Sequence, residues 1–375
     1  FIKIKNMRKK IPFAGPSITQ KEIDYVIDGV KNGFYETFNM HVEKLEEEIS
    51  DYCGTEYAIA THTCTLAMHL ACLCLDLKEG DEVICTDFSW VATAYAISYT
   101  GATPILVDID PDTWCIDPKK IKSAITNKTK AIMLVHSFGV PAQMDEIMAI
   151  AREYNLKVIE DAAPSLGAEF NGKKVGSFGD FGCFSFHGAK IAATGEGGML
   201  LTNDKKLYEK ARLFVAMGRT DRKAVFWSDS IGYQYTMGNL TAALALAQVQ
   251  RIEELVSIKR STFERYEKNL SGFEGIKMIK ENENTRANYC YPSLLLQPSI
   301  VTNRDDILKH FKENNIHARP GFPRMSEFPS LKKTFENPVA EIAEKRGISL
   351  PSAANITNND IDFVCERLIH MVKNQ

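Results

Sequence analysis

The sequence predicts an α/β protein in which a mainly parallel mixed sheet lies between helices and a smaller α+β domain follows. From Tyr57 onward, short apolar runs alternate with segments of helical periodicity, a pattern typical of parallel strands joined by helices. The alternation ends after Asp161, where two apolar strands flank Lys190. A long helical stretch then leads into a more charged C-terminal part. We therefore predict a large domain over residues 1–252 and a small domain over residues 253–375.

The predicted elements follow one another in a regular order. Amphipathic helices at 20–31 and 40–52 precede the sheet, because their apolar residues recur at helical spacing. Strands are predicted at Tyr57–Thr61, Glu82–Thr86, 104–108, 130–136 and 156–160. Helices are predicted between them at 66–77, 91–99, 117–125 and 142–154, and after them at 205–217, 240–270, 305–314 and 360–373.

Composition and charge exclude several classes of protein. The chain of 375 residues is 45% hydrophobic and 25% charged with a formal net charge of −3, and it has no basic stripe of the kind that binds nucleic acid. No apolar run approaches the ~18 residues that cross a bilayer, and the basic first residues lack the apolar segment of a signal peptide. The nine cysteines are odd in number and include no CxxC pair. We expect reduced thiols, a cytoplasmic location and no metal site.

Two residues carry the strongest chemical signal. Lys190 lies in a turn between two apolar strands, beside a glycine-rich corner. Such a lysine either keeps its amine in water, as most lysines do, or forms a Schiff base with a bound carbonyl compound. Asp161 ends a strand, where side chains of open sheets face the ligand crevice. An aspartate there either holds a protonated ring nitrogen or caps a helix.

Three further segments at strand ends carry side chains that suit a cofactor. Cys64 and Thr65 open a helix directly after a strand, and free N–H groups at a helix N-terminus bind phosphate. Trp90 follows the next strand and could stack on a planar ring, although a lone tryptophan is more often a core or interface residue. Ser185, near Lys190, could add a hydroxyl to the phosphate site. Each signal is weak alone, but their order along the chain predicts a complete pyridoxal phosphate site.

The motifs around these residues match those of one enzyme family. The main matches are Ser-Phe-x-x-x-Lys at 185–190 with Gly-Glu-Gly-Gly at 195–198, and Glu-Asp-Ala-Ala at 160–163. Further matches lie at 64–65, 90–93, 232–237, 319–320 and 345–351. In these motifs the chain resembles the DegT–DnrJ family of nucleotide-sugar aminotransferases over nearly its whole length. The resemblance implies the type I pyridoxal phosphate-dependent aminotransferase fold and a homodimer with shared active sites.

The resemblance also implies roles for individual residues. Lys190 would bind pyridoxal 5′-phosphate covalently, Asp161 would pair with its ring nitrogen, and Trp90 would stack on its ring. Gln234 stands where family members often reach the phosphate of the other subunit with an asparagine. Thr236 and Pro164 also depart from the family pattern, at positions that often carry an arginine and a polar residue. The residues that would hold the phosphate are Cys64, Thr65, Ser185 and Gln234.

The function that the resemblance implies is amination of a nucleotide diphosphate keto-sugar, with L-glutamate as donor and 2-oxoglutarate as its product. The motifs at 319–320 and 347–351 are closest to those of GDP-perosamine synthase-like enzymes, which aminate C4 of a 4-keto-6-deoxy sugar for surface polysaccharide such as O-antigen. C3 amination of a dTDP-3-keto-sugar is an alternative. So is a regulatory protein that binds the cofactor without catalysis. A nicotinamide dehydrogenase is disfavoured because no G-x-G-x-x-G motif follows the first strand.

Substrate contacts are expected mainly in three loops, at 32–40, 219–230 and 318–326, because loops vary while a scaffold stays the same. The candidates for substrate binding are Phe34, Tyr35, His187, Arg219 and Arg319. Further candidates for contact with a pyrophosphate are Arg222, Lys223 and Arg324.

Overall fold

The computed structural model describes residues 9–220 and 227–373. Its first helices are α1 (Gln20–Asn32) and α2 (Met40–Cys53). The strands that follow are β1 (Tyr57–Thr61), β2 (Glu82–Thr86), β3 (Thr103–Val107), β4 (Thr129–Val135), β5 (Lys157–Asp161), β6 (Glu169–Phe170), β7 (Lys173–Lys174), β8 (Phe181–Ser185) and β9 (Gly198–Thr202). The helices between and after them are α3 (Cys64–Cys74), α4 (Ala92–Ser98), α5 (Pro118–Ala124), α6 (Met144–Glu153), α7 (Lys205–Val215) and α8 (Asn239–Val249).

Seven of these strands form one sheet in the order β1-β9-β8-β5-β4-β2-β3. Strand β9 runs antiparallel to both of its neighbours, and the other six strands share one direction. This mainly parallel sheet confirms the predicted fold class. The carboxyl ends of β1, β5 and β8 lie at one edge of the sheet, where Gly198 at the start of β9 pairs with both Thr61 and Ser185.

Side chains alternate between the two faces of the sheet, so helices cover both faces. Ile59 of β1 packs on the side of α3 and α4, whereas Ala58 and Ala60 pack on the side of α2 and α8. In β4, Met133 faces α3 and Ile132 faces α5 and α6. This alternation follows from the two-residue period of a strand. Burial on both faces explains why the strands read as continuous apolar runs.

The C-terminal part has a sheet of its own. Its helices are α9 (Ile252–Leu270), α10 (Arg304–Glu313), α11 (Pro338–Arg346) and α12 (Asn358–Lys373), and its strands are β10 (Ile276–Met278), β11 (Thr285–Arg286), β12 (Ser293–Leu296), β13 (Arg319–Pro320) and β14 (Gly347–Ser349). An antiparallel sheet has the order β10-β12-β14-β13, and β11 joins the β6–β7 hairpin in a third sheet. Within the described ranges, no helix is both long enough and apolar enough to span a membrane.

The predicted single helix at 240–270 is wrong, because the structure has two helices, α8 and α9, that meet at Arg251. The backbone of Arg251 leaves the helical conformation (φ −115°, ψ 13°), and its guanidinium pairs with the buried Glu22 of α1. Helix α9 then packs Ile252 against the core of the main sheet and Phe263 against the C-terminal core. Because one helix belongs to both cores, the division at residues 252 and 253 stays a prediction.

Candidate active site

A cavity of about 540 Å³ opens at the edge of the main sheet where β1, β4, β5 and β8 end. Its walls come from both parts of the chain, because Phe88 and Phe138 meet Tyr291 and Phe322 of the C-terminal part there. Side chains at the carboxyl ends of parallel strands face such a crevice. The predicted site residues that line this cavity are Cys64, Thr65, Trp90, Asp161, Ser185, His187 and Lys190.

Lys190 lies in the turn after β8, with its amine beside an aromatic ring. Its Nζ is 5.6 Å from the centroid of the Tyr291 ring, and the Tyr291 hydroxyl donates to the Ala189 carbonyl at 3.0 Å. The backbone N–H of Lys190 donates to the His187 carbonyl at 2.8 Å. These contacts hold the turn in place beneath the amine. No local pattern points to Tyr291, because the fold alone brings it to this turn.

Asp161 presents a buried carboxylate at the end of β5. Its Oδ2 accepts a hydrogen bond from the Thr93 hydroxyl at 2.7 Å, and its Oδ1 accepts one from the Ala163 N–H at 3.1 Å. Burial raises the pKa of Asp161, while these hydrogen bonds and the charge of Lys190 act to lower it. A cationic group of a ligand placed beside Asp161 would therefore stabilise its ionised form.

The N-terminus of α3 lies against the start of β9. A Cβ atom on Gly198 would be 2.4 Å from the Cys64 backbone nitrogen, so only glycine lets the two backbones approach this closely. The Thr63 hydroxyl caps the helix by accepting from the Leu66 N–H at 3.3 Å. The first N–H groups of a helix have no acceptor within the helix and attract anions. Together with Ser185, which pairs with Gly198, this arrangement suits a phosphate group.

Cys64 brings a neutral side chain to this end of the cavity. Burial, with a contribution from the nearby charge of Asp161, raises the pKa of the Cys64 thiol well above its ordinary value. The thiol therefore stays protonated near neutral pH and does not repel an anion bound at the start of α3.

The mouth of the cavity is formed by exposed side chains. Trp90 is 64% exposed although it is a large apolar residue, and its indole forms one wall. His187 Nε2 lies 3.9 Å from Glu196 Oε1, and both side chains are more than half exposed. Glu196 is a lining residue that the motif analysis did not assign to the site, although it lies within the Gly-Glu-Gly-Gly motif. The pair offers a donor and an acceptor for the hydroxyl groups of a polar substrate.

Two buried aspartates attach the C-terminal part to the main sheet next to the cavity. Asp87, after β2, accepts hydrogen bonds from the Ser326 N–H and hydroxyl, both at 2.7 Å, and from the Asn337 amide at 2.8 Å. Asp108, after β3, accepts from the N–H groups of Val339 and Ala340 at the start of α11. These bonds hold the segment that follows Phe322 against the sheet.

Among the described residues, several predicted site residues lie outside the lining of this cavity. Tyr35 is 89% exposed, and Gln234 donates from its amide to the Thr236 hydroxyl at 2.9 Å. The Arg319 guanidinium lies 5.7 Å from the ring of Phe13, which in turn stacks on the cavity residue Tyr291. The set of predicted residues outside the lining is Phe34, Tyr35, Arg219, Gln234 and Arg319.

Of the three remaining candidates for contact with a pyrophosphate, only Arg324 lies among the described residues. Arg222 and Lys223 lie outside the described residues. Arg324 is buried, and its guanidinium nitrogens lie 2.8 Å from Glu344, 3.3 Å from Glu327 and 3.4 Å from Glu341. Its charge is already matched by these carboxylates, which argues against the predicted contact with a pyrophosphate.

Several known aminotransferases are similar to this chain. The GDP-perosamine synthase of Escherichia coli O157:H7 is 38% identical over 361 residues, which cover 96% of this chain and 98% of the relative. EpsN of Bacillus subtilis (strain 168), which carries the name of a pyridoxal phosphate-dependent aminotransferase, is 36% identical over 97% of this chain and 96% of its own length. The crystal structure of an aminotransferase from Psychrobacter cryohalolentis superposes with a TM-score of 0.90 at 28% identity, over 97% of this chain and 99% of that one. The model of the DegT/DnrJ/EryC1/StrS aminotransferase family matches residues 16–369, and the chain belongs to this family.

Proposed function

We propose that this aminotransferase uses pyridoxal 5′-phosphate to move the amino group of L-glutamate to C4 of a 4-keto-6-deoxy sugar carried on a nucleotide diphosphate. The observation that carries the proposal is the single cavity that contains Lys190, Asp161 and the N-terminus of α3. The names of the relatives support the cofactor and the class of substrate. The product would be an amino sugar for a surface polysaccharide.

The donor set of the cavity fits this cofactor. The start of α3, with Cys64, Thr65 and Ser185, would hold the phosphate, and Asp161 would accept from the protonated ring nitrogen. Trp90 would cover one face of the ring, and Lys190 would bind the aldehyde carbon. When bound, the cofactor supplies an electron sink that makes the α-proton of an amino acid removable.

The chain itself supplies the proton transfers. In the first half-reaction, the amine of L-glutamate would displace Lys190 from the aldehyde carbon, and the freed Nζ would accept the α-proton. 2-Oxoglutarate would leave with its new carbonyl oxygen derived from water. In the second half-reaction, the keto-sugar binds, its carbonyl oxygen leaves as water, and Nζ delivers a proton to the carbon that receives the amine. The two substrates therefore react in turn at one site, as in a ping-pong cycle.

We propose that the site is completed by a second copy of the chain. Tyr35 and Gln234 are exposed and lie outside the cavity of their own chain, together with Phe34 and Arg219. In a homodimer with shared active sites, these residues would serve the cavity of the other copy, with Gln234 near the phosphate. His187 and Arg319 are the proposed substrate contacts from the chain that holds the cavity.

The direct test is to incubate the enzyme with L-glutamate and a panel of GDP-, dTDP-, UDP- and CDP-linked keto-sugars. The expected product is a nucleotide-linked 4-amino-4,6-dideoxy sugar, whose nitrogen position is read by NMR, and the panel identifies the nucleotide. Amination at C3 of a dTDP-sugar would overturn the proposed position. Failure of L-glutamate to convert the bound cofactor to its amine form would favour the non-catalytic alternative.

The close packing at Gly198 leads to a prediction about cofactor affinity. In Gly198→Ala, the new methyl group must push the start of α3 away from β9, because it would lie 2.4 Å from the Cys64 nitrogen. We expect the affinity for pyridoxal phosphate to fall by about tenfold or more, equivalent to the loss of one charge-assisted hydrogen bond. Fluorescence titration of the apoprotein measures this. Gly238→Ala is the matched control, because no atom lies within 4 Å of the added Cβ. Equal affinities in the two variants would contradict the prediction.

A further inference from the structure

Thr93 is a fully buried residue of α4 that connects two walls of the cavity. Its Oγ1 lies 2.7 Å from Asp161 Oδ2, 3.2 Å from the Trp90 carbonyl oxygen and 3.4 Å from the Ser89 hydroxyl. Its backbone N–H also donates to the Trp90 carbonyl at 3.2 Å. One hydroxyl group therefore contacts both the acid at the end of β5 and the segment that carries the exposed indole.

The Thr93 hydroxyl has a single proton and several oxygen atoms within reach. Hydrogen bonds to ionised acceptors are shorter and stronger than those to neutral ones. The contact with Asp161 is the shortest of the three, so the proton is directed to Asp161 while that carboxylate is ionised. Burial raises the pKa of Asp161, and the hydrogen bond from Thr93 is the largest of the influences that oppose this rise.

The other oxygen of Asp161 is fixed as well, because Oδ1 accepts from the Ala163 N–H at 3.1 Å. With one donor on each oxygen, the plane of the carboxylate cannot rotate without breaking a hydrogen bond. The Ala163 N–H belongs to the backbone, and only a proline there, which would also restrict the main chain, could remove it. The Thr93 hydroxyl is therefore the part of this arrangement that a side-chain change can test.

We propose that Thr93 is a positioning residue that keeps the Asp161 carboxylate ionised and aimed at the ring nitrogen of the cofactor. The inference rests on the proposed function, because it requires pyridoxal phosphate in this cavity. It assigns a purpose to the threonine of the Trp-Val-Ala-Thr motif, whose side chain is buried behind the residues that line the cavity and is not itself part of the lining.

The experiment compares Thr93→Val, which keeps the shape and removes the hydroxyl, with Thr93→Ser, which keeps the hydroxyl. Each apoprotein is titrated with pyridoxal phosphate and with its analogue in which carbon replaces the ring nitrogen. For Thr93→Val we expect the affinity for pyridoxal phosphate to fall by about tenfold or more relative to the unaltered protein, the effect of one hydrogen bond to a charged group. The affinity for the analogue should stay unchanged, and Thr93→Ser should bind both compounds as the unaltered protein does.

Because the two affinities are compared within one variant, a partly unfolded fraction lowers both equally and does not imitate the expected result. Equal losses for the two compounds in Thr93→Val would show a general packing role and overturn the inference, as would no loss for either. Thr93→Ser with the same loss as Thr93→Val would also overturn it. An unaltered protein that does not bind pyridoxal phosphate would overturn the proposed function itself.

Discussion

Replacing Lys190 with alanine should lower the rate of transamination by about 10⁴-fold or more, because one change removes both the proposed covalent anchor and the proposed proton carrier. Among the described residues that line the cavity, Lys190 is the only lysine, so no second amine stands ready to replace it. The rate at which L-glutamate converts the bound cofactor to its amine form, followed by stopped-flow absorbance, measures this loss. Turnover within tenfold of the unaltered enzyme would contradict the assigned role.

Lys205→Ala is a matched control for this experiment, because Lys205 is an exposed lysine at the start of α7 that does not line the cavity. It should keep full activity. Borohydride gives an independent readout. In the unaltered protein, reduction should fix the cofactor to the peptide that contains Lys190, and mass spectrometry should find no such adduct in Lys190→Ala.

Asp161→Asn should slow the same half-reaction by about 10²- to 10³-fold, the effect of leaving one partner of a buried charged pair unmatched. The asparagine amide has the shape of the carboxylate and can still accept a hydrogen bond from Thr93 or Ala163. The change therefore removes charge more than structure. The affinity for pyridoxal phosphate should fall as well, and both quantities can be measured on the same preparation. The loss of affinity should exceed the loss in Thr93→Val, because Thr93→Val keeps the carboxylate.

Asp108→Asn serves as the comparison for Asp161→Asn. Asp108 is also a buried aspartate after a strand, but it accepts hydrogen bonds from the start of α11 and does not line the cavity. Its replacement should lower the melting temperature and leave the affinity for the cofactor close to that of the unaltered protein. If Asp161→Asn lowered only the melting temperature, its proposed contact with the ring nitrogen would be wrong.

The sequence allowed the main sheet to be predicted because its strands are buried on both faces and its helices are amphipathic. The two patterns alternate without interruption from Tyr57 to Asp161. The prediction was wrong at 240–270, where helical periodicity continues through Arg251 although the backbone turns there. At that turn Arg251 pairs with Glu22, more than two hundred residues earlier. Local periodicity cannot register a contact of this kind.

The candidate site was predictable to the extent that its residues follow strands. Asp161, Ser185 and Lys190 lie near strand ends, and the parallel arrangement brings such ends together. Tyr291 and Thr93 were not assigned because their contacts with the site depend on packing between distant segments. The roles of the residues outside the cavity, such as Gln234, remain predictions. They are proposed to act at the cavity of a second copy, and the structure is of one chain.

The hydrogen bonds accepted by Asp87 and Asp108 affect how molecules can enter and leave the cavity. They fasten residues 325–340 to the sheet on one side, and the pairing of β11 with β6 ties the other side. Contacts at these two places resist a separation of the C-terminal part from the main sheet. The substrates and products of the proposed reaction would then pass through the mouth of the cavity beside Trp90 and His187. At a shared opening, each product would have to leave before the next substrate could bind.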